Sequence, residues 1–235
     1  MKHFVAGTTA RSAAALVGVN RHTATLFFLK LRELISARLE AAVPELLGGE
    51  IEIDKSYFGG VRKGKRGRGA SGKAPVFGLL KRGGNVHAII IPNARKDTLF
   101  PIIRQKIRPD SVVYTDSFPA YDILDVSEFR HARINHRERF VDRQRHINGI
   151  EDFRNQPERR LRRYNGIRRQ HFPLYLKECE WRFNYRPASR LLETLNAWRK
   201  NQTINPTASP KINGNKIPTF ASNSAQGLAE LPSLL

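Results

Sequence analysis

The chain is almost without cysteine: Cys179 is the single one in 235 residues. One thiol builds neither an intramolecular disulfide framework nor a multi-cysteine zinc module, and it fits a reducing compartment. Long apolar runs are missing too. None approaches the roughly 20 residues of a membrane span, and residues 1–10 lack the apolar core of a signal peptide. The expectation is a cytoplasmic protein with no membrane partner. Acids are the third shortage, 21 Asp and Glu against 41 Lys and Arg, for a net charge of +20 and a pI near 10.8. That surplus favours a polyanionic partner, nucleic acid before anionic membrane. No basic amphipathic helix with a large apolar face supports the membrane. Hydrophobic residues make up 40% of the chain, enough for a core, which excludes a disordered basic tail.

Internal repeats and heptads are absent, and composition divides the chain into three parts. Residues 1–47 read as helical. Thr9 can cap a helix over 10–17, Gly18 and Val19 make a turn, and Asn20 can cap a second helix to about Leu39 with Leu26, Phe27, Leu29, Leu31, Leu34 and Ile35 as its apolar face. Arg21, His22, Thr23 and Thr25 fall in its first turns. A DNA-reading helix-turn-helix and an ordinary helical hairpin fit this fragment equally well. Residues 50–200 alternate strand and helix signals. Strands are predicted at 50–58, 76–80, 86–91, 111–115 and 129–134, with a hairpin turn at Gly83–Gly84. Helices are predicted over 98–107, briefly at 121–124, and over 146–164 and 173–200. That order predicts an α/β domain with a mixed five-stranded sheet flanked by helices. Residues 201–235, rich in Asn, Ser, Pro and Ala, lose all periodicity and read as a disordered tail.

In so basic a chain, acids at the ends of apolar strands need a reason. Asp54 closes Ile51–Ile53, Asp116 closes Val112–Thr115, and Glu151 lies early in a helical segment. Each alone reads as a strand-end or surface ion-pair partner. Together they match what phosphodiester cleavage needs: hard oxygen ligands that hold two Mg²⁺ ions about 4 Å apart, one activating the attacking oxygen and one stabilising the leaving oxygen.

The run Gly49-Glu50-Ile51-Glu52-Ile53-Asp54-Lys55-Ser56-Tyr57-Phe58-Gly59-Gly60 resembles the signature of bacterial insertion-sequence transposases with the ISXO-two-like DDE domain. The resemblance continues through the basic loop 64–69, Pro75–Leu80, Val113–Asp116, Ile134–His136, His146–Glu151, Tyr164–Ile167, His171–Leu174 and Leu176–Asn184. It spans about residues 4–184. It implies an RNase H-like catalytic domain with Asp54, Asp116 and Glu151 as metal-binding triad, and two Mg²⁺ per site with Mn²⁺ as substitute. It further implies end cleavage followed by in-line attack of the freed 3′-hydroxyl on target DNA. It supports a helix-turn-helix over 8–36, DNA as partner, a homo-oligomer on DNA, and a nucleoid-associated bacterial protein. The zinc ribbon that some relatives carry upstream has no counterpart, in accord with the single cysteine.

Two basic segments serve that reading. The 59–74 loop carries Arg62, Lys63, Lys65, Arg66, Arg68 and Lys73 without an acid, a few residues after Asp54. Residues 130–170 hold 13 Arg, no Lys and five acids, with Arg159, Arg160 and Arg163 as candidate phosphate contacts. Solvated surface is the plain alternative for both. His136 and His146 read as capping or structural groups, and Cys179, Trp181 and Trp198 as packed side chains.

Several positions depart from the family pattern. Lys55 stands where an acid usually follows the first Asp, and Arg154 where an aromatic usually follows the Glu by three. Glu158 stands at the place of a basic residue, and Phe118-Pro119-Ala120 replaces a usual Trp-Arg-Gly. Pro157 is expected to kink or end the catalytic helix. These marks suggest a degenerate copy that keeps the fold with impaired strand transfer. The alternatives are therefore a non-enzymatic DNA-binding protein and a different nuclease or resolvase on the same fold.

Overall fold

The computed structural model describes residues 1–42, 46–59, 73–134, 148–164 and 167–203. The basic residues 62–68, His136, His146 and the tail from 204 lie outside them. Three helices come first: α1 (Lys2–Val5), α2 (Ala10–Val17) and α3 (Arg21–Ala41). The predicted caps form, with Thr9 Oγ1 accepting from Ser12 N at 3.1 Å and Asn20 Oδ1 from His22 N at 2.7 Å. Gly18 ends α2 in the left-handed region, φ 73°. α3 buries Ala24, Phe28, Leu31, Leu34, Ile35 and Leu39. Leu26 and Phe27, expected on the apolar face, are exposed instead. The three-and-four spacing that starts at Ala24 continues through Phe28, which leaves 26 and 27 off the stripe.

Five strands follow, β1 (Glu50–Phe58), β2 (Ala74–Lys81), β3 (Val86–Ile90), β4 (Val112–Thr115) and β5 (Arg130–Arg133), in the spatial order β3-β2-β1-β4-β5. β1, β2 and β3 run antiparallel in sequence, while β4 and β5 run parallel to β1. All five lie where the sequence predicts strands, within two residues at either end. Gly83, at φ 68°, makes the β2–β3 turn. Helix α4 (Lys96–Lys106) connects β3 to β4, and a 3₁₀ helix, Pro119–Val126, connects β4 to β5.

The chain closes with α5 (Asn148–Leu161), α6 (Phe172–Asn184) and α7 (Ala188–Thr203). One continuous helix was expected over 173–200. The break has a plain cause: Pro187 lacks an N–H and disfavours helix in the residue before it. Pro157 does not end α5, which runs through it. Its ring is buried on the same flank as Ile150 and Phe153, so packing offsets the missing hydrogen bond.

Ile51, Ile53, Phe77, Leu79 and Val113 pack from one sheet face against Leu99 and Ile103 of α4 and Tyr121 and Leu124 of the 3₁₀ helix. Val76, Leu80, Val86, Ala88 and Tyr114 pack from the other against α5 and α6. The α3 stripe shares a third cluster with Phe4, Trp181, Leu191 and Leu195, so the N-terminal helices dock on α6 and α7. Glu178 of α6 is buried at that junction. It accepts from Arg32 Nε at 2.7 Å and from Arg160 Nη2 and Arg182 Nε at 2.8 Å each. Burial pushes its carboxyl up, but Arg182, Arg32 and Arg160 outweigh it and hold it below the usual range. A mixed five-stranded sheet flanked by helices is the architecture that the RNase H-like resemblance implies.

Candidate active site

Alternation along β1 sends Glu50, Glu52 and Asp54 to the face that α5 covers, and Ile51, Ile53 and Lys55 to the other. Each acid does different work. Glu50 accepts from Tyr114 Oη at 2.6 Å. Glu52 is buried and accepts from Arg82 Nε at 3.0 Å and from Ile150 N at 2.9 Å. A carboxylate on the first turn of α5 satisfies an orphan donor and complements the helix dipole. Glu52 thereby ties the helix start to the strand two residues before Asp54. Glycine permits the close approach: a Cβ on Gly149 would meet Leu80 Cδ2 at 2.5 Å, and one on Gly78 would meet Ile150 Cδ1 at 2.9 Å.

Asp54 and Asp116 are brought together by strand register. Glu50 pairs with Val112, Ile51 with Val113 and Glu52 with Tyr114, each an offset of 62. The aspartates are also 116 − 54 = 62 residues apart, so they come level at the carboxyl edge of two adjacent parallel strands. Both line one cleft together with Lys55, Lys73, Arg154 and Glu158. Its three acids face three cations. Asp54, 5% exposed, accepts from Arg154 Nη1 at 3.3 Å. Asp116 Oδ2 accepts from Lys55 Nζ at 2.9 Å, and Oδ1 accepts from Phe118 N at 3.2 Å in an Asx turn. Burial raises the Asp54 carboxyl above its ordinary range, and the neighbouring Asp116 adds to the rise against the pull of Arg154 and Lys55.

Glu151, Arg154 and Glu158 share one flank of α5 by their three- and four-residue spacing. Of the two acids on that flank, Glu158 is exposed and lines the cleft, and Glu151 is half-buried and nearer the helix start. Among the described residues, no three His, Cys, Asp or Glu side chains form a ready metal cluster. Sequence reasoning missed the positions of Lys55, Arg154 and Glu158 in the cleft. The signal was present, since 151, 154 and 158 mark one helix flank. It also missed Glu52, which the alternation of β1 puts on the face of Asp54.

Of the expected DNA contacts, Arg21, His22, Thr23 and Thr25 are exposed at the start of α3. Arg159, exposed on a second flank of α5, and Arg163, exposed in the turn just past its end, lie beside a cleft that Arg182 and Cys179 also line. Arg160 turns inward to Glu178. Cys179 and Trp181 are buried, and burial pushes the thiol up to about 12, ahead of the nearby Glu178 charge. No helix among the described residues is long and apolar enough to cross a membrane.

Comparison with known proteins identifies the family. A transposase-like protein of Haemophilus influenzae is 57% identical over 99 residues, 42% of this chain and 80% of that protein. A protein in transposable element ISH50 of Halobacterium salinarum is 29% identical over 177 residues, 67% of this chain; the match covers 60% of that relative's length. The family model of the ISXO2-like transposase domain matches residues 46–184, from just before β1 to the end of α6. The chain belongs to the ISXO2-like transposase domain family.

Proposed function

We propose that this insertion-sequence transposase cleaves DNA at the ends of its element and joins the freed 3′-hydroxyls to target DNA, with the scissile phosphate at Asp54 and Asp116. The observation that carries the reading is the shared 62-residue offset, which levels two carboxylates at one sheet edge. Two such carboxylates are the hard donors that Mg²⁺ or Mn²⁺ takes. Asp54 and Asp116 would hold the ion with one carboxylate of α5, Glu151 by family resemblance or Glu158 by its place in the cleft. A bound divalent ion supplies Lewis-acid polarisation and charge neutralisation at the phosphorus centre. The chain's own groups orient the substrate. Lys73 and Arg154 line the cleft where a phosphodiester enters, and Arg21, His22, Thr23 and Thr25 offer α3 to the end sequence. Two ends in one reaction call for at least two copies on DNA.

The test is Mg²⁺-dependent cleavage and strand transfer on duplexes carrying the element ends. Asp54→Ala and Asp116→Ala should each abolish both. Glu151→Gln and Glu158→Gln, assayed side by side, identify the third carboxylate by the larger loss. Undiminished cleavage in either aspartate variant would overturn the reading. The charge balance of the cleft favours a second reading, a DNA-binding protein that no longer cuts. End-specific binding without any cleavage would establish it.

A further inference from the structure

The two cations on the aspartates are not equivalent. Lys55 starts on the opposite sheet face and is 9% exposed, its Nζ 3.7 Å from the Phe118 ring centroid and 5.4 Å from that of Tyr121. It is caged. The Arg154 side chain is 38% exposed and touches Asp54 through one nitrogen at 3.3 Å, a long single contact where a bidentate fork is available to arginine. The backbone beneath it is fixed, because Glu52 holds the start of α5. Arg154 can leave Asp54 by a change of rotamer alone. A buried carboxylate next to a second carboxylate needs a positive charge beside it, and a protein cation or a divalent ion meets that need equally in kind.

We propose that Arg154 stands in for a divalent cation on Asp54, so that the cleft takes up metal only as the guanidinium leaves. The inference rests on the metal reading of the aspartate pair. It deepens that reading by assigning Arg154 a positioning role exerted through Asp54. A DNA phosphate entering the cleft offers Arg154 a better partner, matched to its planar fork. Drawing the guanidinium to phosphate frees Asp54, so phosphate and metal bind cooperatively and by the same factor in either order. The cleft then stays self-neutralised until substrate arrives.

The test is Mn²⁺ binding to the full chain, followed by the paramagnetic resonance signal of the free ion, with and without a short duplex. Arg154→Ala and the neutral, polar Arg154→Gln should bind Mn²⁺ about three- to tenfold more tightly than the unaltered chain, the scale of a partly exposed ion pair. Arg162→Ala removes the same charge from an exposed site past the end of α5 and should leave the affinity unchanged. The duplex should tighten Mn²⁺ binding in the unaltered chain and much less in Arg154→Ala. Equal affinity of Arg154→Ala and the unaltered chain overturns the proposal, as does an equal gain in Arg162→Ala or equal duplex effects in both proteins. Mn²⁺ binding in Asp54→Ala/Arg154→Ala as tight as in Arg154→Ala is a different failure. It removes the aspartate pair as the metal site, and with it both readings.

Discussion

The Lys55 ammonium lies 2.9 Å from Asp116 Oδ2, although its side chain leaves β1 on the face opposite Asp54. It passes beneath the sheet edge, against Phe118 and Tyr121, and meets the carboxylate from below. Two departures from the family pattern, at 55 and at 118, are thus one contact in space. Lys55→Met should leave Asp116 without its counter-charge and cost about 2–3 kcal/mol, below the range for a fully buried pair because Asp116 is partly exposed. Lys55→Met/Asp116→Asn should recover much of that loss. Urea denaturation of the double-mutant cycle checks it, and simple additivity would show that the pair is not coupled.

Glu52 predicts a different kind of damage. Its carboxylate serves Arg82 and the Ile150 amide at once. Glu52→Ala should strand both donors and loosen α5 from β1, at about 2–3 kcal/mol. Amide hydrogen exchange at the first turn of α5 should accelerate beyond what global stability accounts for. Exchange that rises uniformly over the domain would argue against a local anchor.

The arginines at and just past the end of α5 divide by the side they face. Arg159→Ala and Arg163→Ala should each reduce the slope of log K for duplex binding against log salt by about one, with little change in stability. Arg160→Ala should leave the slope nearly unaltered and lower the melting temperature, because it removes one of three guanidinium groups from Glu178. A salt titration paired with thermal denaturation separates the two classes. A full unit of slope lost in Arg160→Ala would place that side chain on DNA.

Much of this was legible in local sequence. Period-two alternation marks β1 and its neighbours, and Thr9 and Asn20 announce the helix starts they cap. The strand-end aspartates were legible for the same reason: Ile51, Ile53 and the 112–115 run define strands whose ends are known. What remained hidden depends on which elements meet. Glu50, Glu52 and Asp54 are indistinguishable by alternation, and only the docking of α5 makes Glu52 an anchor and Asp54 a cleft residue. Glu178 reads as an acid in an apolar helix until α3, α5 and α6 converge on it. Pro187 was visible as a helix breaker, yet the apolar spacing on either side runs across it.

His87 gives a pH dependence whose sign can be worked out. It lies on β3 with its Nδ1 lacking a hydrogen-bond partner, 3.9 Å from Glu180 Oε1. Burial, then Lys177 and Lys106, depress its pKa from 6.5 to about 4. Between those values the unfolded chain binds a proton at this site that the folded chain refuses. His87 therefore costs no stability at neutral pH and lowers it progressively from about pH 6.5 to 4, by about 2–3 kcal/mol in all. Glu180 works in the opposite direction, because burial raises its carboxyl and the folded state gains the proton first. The net acid limb is thus a poor measure of either group. The difference between the unaltered chain and His87→Gln isolates the histidine. The variant should melt with the same pH profile above about 7 and hold its stability better on acidification. Parallel profiles down to pH 4 would mean that His87 already accepts its proton in the fold, with Glu180 as counter-ion.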